Sequence, residues 1–122
     1  MTTKFLIVQG EVLIAEDLSQ ILSNYVPESK IHRVDDVTTA VDALKTNGTP
    51  EVVFLLGNSA RTINPALMDL LIDRCITAVR VGVEDLDFIE VLHDAYRVAA
   101  PFSTEDIERV LGNIGLSPHA QA

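Results

Sequence analysis

The segment EVVFLL, residues 51–56, carries after Glu51 an unbroken run of apolar side chains of strand length, with Pro50 before the segment and Gly57 after it. A strand with one wetted face alternates apolar and polar residues. An unbroken apolar strand is buried on both faces, which places it in the middle of a parallel sheet covered by helices on either side. The rest of the chain must supply its neighbouring strands and both covering layers.

Those parts are legible along the sequence. KFLIV (4–8) reads as a short buried strand, followed by Ile14, Leu18, Ile21, Leu22 and Tyr25 at helical spacing. KIHRV (30–34) reads as a weaker strand, and Asp36 as the N-cap of a helix whose face is Val37, Ala40, Val41 and Leu44, ended by Gly48. Asn64 and Pro65 form an N-cap and N1 pair for a helix through Leu67, Leu70 and Leu71. CITAVRVGV (75–83) predicts a fourth strand, residues 85–95 a helix with Phe88, Ile89 and Leu92 inward, and YRVAA (96–100) a fifth strand. In the last helix, Ser103 and Asp106 have capping-box spacing, and Ile107, Val110, Leu111 and Ile114 follow before Gly115. The expected fold class is α/β, a doubly wound five-stranded parallel sheet.

At 122 residues there is room for one core, so residues 1–116 are expected as a single domain and 117–122 as a flexible tail. No apolar run reaches the eighteen or so residues that span a bilayer, and residues 1–4 lead into a strand rather than a signal sequence, so a cytoplasmic location without membrane contact is expected. Nine Lys and Arg against eighteen Asp and Glu leave a formal charge of −9 with no basic cluster, which argues against nucleic acid. The lone Cys75 cannot form an internal disulfide and is expected as a small core residue.

No residue set predicts catalysis. Ser59 lies in a loop, but His32, His93 and His119 fall on a weak strand, a helix and the tail, away from the other strand-end loops. No glycine-rich dinucleotide fingerprint follows the first strand. Glu11 is the one acid just after it, too few oxygen ligands for magnesium. The helix opening after RTINP could meet an anion, as most helix N-termini could, and usually meets water.

Two stretches resemble a known family. FLIVQGEVLIAEDLSQIL (5–22) is similar to the opening of a two-component response-regulator receiver domain, and APFSTEDIERVL (100–111) to its closing lysine-proline-phenylalanine motif and last helix. The resemblance covers residues 4–114 and implies strand order 2-1-3-4-5. It places the family's magnesium-binding acidic pair on Gln9 and Gly10, its phosphoacceptor aspartate on Leu56, its switch hydroxyl on Gly82 and its lysine on Ala100, keeping Pro101 and Phe102. Asn58 falls two places past the phosphoacceptor, where the family offers a backbone carbonyl to the metal. Between Glu51 and Asp69 there is no Asp or Glu, so no small shift of alignment restores the acceptor.

The resemblance thus implies a stand-alone pseudo-receiver: a non-enzymatic signalling domain without metal or cofactor. It would act by phosphorylation-independent protein–protein interaction in a two-component or phosphorelay context. Its partner would be a histidine kinase, a phosphotransfer protein or another signalling protein. The family's usual contact and dimer surface, made by the helix before the fifth strand, that strand and the last helix, carries Tyr96, Arg97, Phe102 and Glu105 here, and a homodimer through it is possible. Arg97 replaces the family's switch aromatic, with Tyr96 one place early; alternatively it pairs locally with Glu105 or Asp106. The competing function is a small flavodoxin-like ligand-binding or enzymatic domain using the emptied strand-end pocket, and an intact receiver with an unorthodox acceptor is a third.

Overall fold

A computed structural model describes residues 3–8, 12–46, 48–56, 64–81, 95–98 and 102–116. They form strands β1 (Lys4–Val8), β2 (Lys30–Val34), β3 (Val52–Leu56), β4 (Thr77–Val81) and β5 (Ala95–Val98). The helices are α1 (Val12–Tyr25), α2 (Val37–Thr46), α3 (Pro65–Asp73) and α4 (Thr104–Ile114). The sheet has the order β2-β1-β3-β4-β5, with every neighbouring pair parallel.

All five residues of β3 are buried. Val53 and Leu55 join one core with Leu6, Val34, Ala40 and Leu44 and with Leu67 and Leu71, beneath α2 and α3. Val52, Phe54 and Leu56 point the other way, among Phe5, Leu18 and Leu22 and Ile107 and Leu111, beneath α1 and α4. Alternation along one strand therefore fills two cores at once, which is why VVFLL has no polar side, while Glu51, expected in this strand, lies just before it and is exposed. Phe5 and Phe54 meet edge to face across β1 and β3, with centroids 6.0 Å apart.

The helix signals act locally as their chemistry requires. Asp36 Oδ1 accepts from Thr39 N at 2.8 Å, Asn64 Oδ1 accepts from Leu67 N at 3.0 Å, and Pro65 takes the first turn of α3. At α4 the capping box is complete: Asp106 N donates to Ser103 Oγ at 3.2 Å and Ser103 N to Asp106 Oδ2 at 2.9 Å. Gly115, at φ 107°, ends α4 in the left-handed conformation, with Leu116 N returning to Leu111 O at 2.9 Å.

Three expectations are corrected. Cys75 is exposed rather than part of the core, with φ 55°. It holds the left-handed position that closes α3: Cys75 N donates to Ile72 O at 3.2 Å and Ile76 N to Leu71 O at 2.9 Å, so Ile76 turns inward in its place. The fourth strand begins at Thr77, because that closing turn occupies the two preceding residues. Ala95 belongs to β5 rather than to a preceding helix, paired in register with Ala78. The rest of the helix expected at 85–95 and the tail at 117–122 lie outside the described residues.

Candidate functional site

In an open parallel sheet, ligands and reacting groups gather beyond the carboxyl ends of the strands. Here those ends are aliphatic. β1 closes on Val8, β3 on Leu56, β4 on Val81 and β5 on Val98, and each is at most 5% exposed. Register locks the row together, with Val8 opposite Leu55, Leu56 opposite Val81 and Val81 opposite Val98.

Leu56 is 2% exposed and packs in the core that faces α1 and α4. Its side chain offers no oxygen to a cation and no nucleophile to a phosphoryl group. Among the described residues, no three His, Cys, Asp or Glu side chains are grouped so that they could hold a metal ion. Gln9, Gly10, Asn58, Gly82, Ala100 and Pro101 lie outside the described residues.

Sequence reasoning misses one charged residue near this end. Arg80, one place before the end of β4, is 2% exposed, and desolvation by burial pushes its guanidinium below the ordinary arginine value. Alternation along β4 places it with Ala78 on the sheet face covered by α2 and α3, opposite Leu55 in register. A signal exists: in TAVRV it is a single charge inside an apolar strand, and arginine stays cationic even where burial opposes it.

The residues expected at a contact face lie on β5, just before α4 and in its first turn. Tyr96 is half-buried on β5, and its hydroxyl donates to Asn113 O at 3.5 Å, linking the strand to α4. Phe102 packs against the same core just before the cap, and Glu105 is exposed in the first turn of α4. Arg97 occupies β5 opposite Arg80. The Asp106 carboxylate accepts from Ser103 N and lies 3.5 Å from Arg109 Nη1, so it already has two donors. The Ser103 backbone hydrogen bond is the main reason its pKa lies below the usual carboxylate range.

No family model matches the chain, and no curated protein matches it. Solved structures do. The signal receiver domain of an HD domain-containing protein from Pseudomonas fluorescens Pf-5 superposes with a TM-score of 0.72 at 20% identity, over 93% of this chain and 94% of that one. SdrG from Sphingomonas melonis Fr1 gives 0.70 at 23% identity, over 93% and 96%. A CheY-like response-regulator receiver domain from Methylobacillus flagellatus gives 0.67 at 18% identity, over 93% and 99%. Given these likenesses and its strand order, the chain has the fold of response-regulator receiver domains.

Proposed function

We propose that this chain is a receiver-like signalling domain that does not take up a phosphoryl group and works by binding another protein. The observation that carries this reading is Leu56, buried at 2% exposure where the receiver resemblance puts the phosphoacceptor. Phosphoryl uptake by a carboxylate needs a cation to neutralise the transferring oxygens and a lysine and a hydroxyl to bind the product. At those positions the sequence carries Gln9, Gly10, Ala100 and Gly82. The losses fit together, since each remaining group would have had no partner in the reaction.

In this reading the protein is not an enzyme and needs no cofactor. Its partner is a histidine kinase, a phosphotransfer protein or another signalling protein, and contact runs through β5 and α4 at Tyr96, Arg97, Phe102 and Glu105, the same face serving for a homodimer. The setting is the cytoplasm; no helix among the described residues is long and apolar enough to cross a membrane. The buried leucine favours this reading over a ligand pocket at the strand ends, which would need converging polar groups there.

The test is incubation with magnesium and acetyl phosphate, followed by intact mass, and with beryllofluoride, followed by amide NMR. An unchanged mass and unchanged spectra are expected. A stoichiometric phosphoadduct overturns the reading.

A further inference from the structure

At the opposite, amino-terminal end of the sheet, a cavity of about 510 Å³ opens between the β1–β2 edge and the last turns of α2. That volume falls in the range of small-molecule sites, roughly 300–1,000 Å³. Its floor is apolar: Leu6 from β1, Ala43 and Leu44 from α2, and Pro50 from the approach to β3. Its rim is basic. Lys4 and Lys30 are register partners, and Leu6 is the partner of His32, so alternation sets both lysines and the histidine over the face that α2 covers.

Two like charges opposed on adjacent strands repel, a cost that folding alone does not require. Among the described residues, neither ammonium lies within ion-pairing distance of a carboxylate. The acid at this rim, Glu51, accepts the backbone N–H of Lys4 at 2.6 Å, and its own N–H donates to Lys4 O at 2.9 Å, so it braces the strand. The Lys4 ammonium instead sits beside Gly48, 3.4 Å from where a Cβ would stand. The carbonyl end of α2 would disfavour an anion by its dipole, but Arg74 Nη1 donates to Leu44 O and Lys45 occupies the last turn. A chain of formal charge −9 with nine Lys and Arg thus spends two of them at the mouth of one apolar cavity.

We propose that this cavity binds a small amphipathic organic anion, its acidic head between Lys4 and Lys30 and its apolar body against Leu6, Ala43 and Leu44. The site lies at the end of the sheet away from Leu56 and does not depend on what happens there.

The probe is 8-anilinonaphthalene-1-sulfonate, titrated into the full 15N-labelled chain and followed by fluorescence and amide shifts. Saturable binding is expected, with the largest shifts at Leu6, His32, Ala43 and Leu44. Lys4→Met combined with Lys30→Met should weaken it about tenfold or more, as loss of charge-assisted contacts does, while Arg109→Met on α4 leaves it unchanged. The side chains of Lys4 and Lys30 make no hydrogen bond among the described residues, so the double variant keeps the fold. The uncharged analogue N-phenyl-1-naphthylamine should bind about tenfold more weakly. Absence of saturable binding, shifts centred elsewhere, an unaffected double variant or equal affinity for the uncharged analogue each overturns the assignment.

Discussion

Leu56 and Val81 are register partners at the carboxyl ends of β3 and β4, and both are buried in the core beneath α1 and α4. A carboxylate at position 56 would enter a site already filled with aliphatic carbon. Leu56→Asp is expected to lower stability by about 3 kcal/mol or more, the lost packing adding to the burial of a polar group. Magnesium should not restore it, because Gln9 and Gly10 bring no carboxylate. Urea denaturation with and without magnesium reads both effects; recovery by magnesium would show a surviving cation site.

Arg80 separates shape from charge in the same sheet. Its aliphatic stem fills space on the α2 and α3 face while burial opposes its charge. Arg80→Ala should cost about 2–4 kcal/mol, and Arg80→Met, which keeps most of the stem, less than half of that. Equal losses in denaturant unfolding would show that the charge, not the packing, sets the cost.

Cys75 holds a left-handed backbone with an exposed side chain. Replacement by glycine removes the Cβ strain and is expected to raise stability by about 0.5–1 kcal/mol, net of glycine's greater unfolded freedom. Cys75→Val, β-branched at the same φ, should lower it. Thermal melts of the two variants should move in opposite directions.

Two N-terminal aspartates of helices tie stability to acid. Asp36, through the backbone hydrogen bond of Thr39, and Asp106, through that of Ser103, hold pKa values below the usual carboxylate range. Between the folded and unfolded values the unfolded chain binds more protons. Their contribution is therefore full above the unfolded value, about pH 4, and is lost as pH falls toward the folded ones. The combined variant Asp36→Asn and Asp106→Asn should show a shallower loss of melting temperature across that window than the parent.

Arg97 tests the contact face. With the fold verified by circular dichroism, Arg97→Glu should weaken self-association in sedimentation and reduce recovery of a protein partner, as reversing an interface arginine does. If both are unchanged, the working surface is not β5 and α4.

What the sequence determined by itself was whatever depends on near neighbours along the chain. The Ser103–Asp106 box, the Asp36 and Asn64 caps and β1 at 4–8 follow from spacings of a few residues, so each is legible in the sequence alone. The unbroken apolar run VVFLL likewise dictates a strand wet on neither face. At the strand-end site, Leu56 is legible only through the receiver resemblance, which also supplies the strand order; periodicity by itself cannot order strands. Tertiary structure decided the rest. Cys75 is exposed because Ile76 takes the inward position when the turn after α3 closes, a choice made by backbone geometry rather than hydropathy. Arg80 is buried because β4 lies between β3 and β5 and alternation sets its side chain on the face where Ala78 packs with Leu67 and Leu71, which a short apolar window does not reveal. Lys4 and Lys30, twenty-six residues apart in sequence, oppose one another only because β1 and β2 pair in parallel with that register, and register is a property of the assembled sheet.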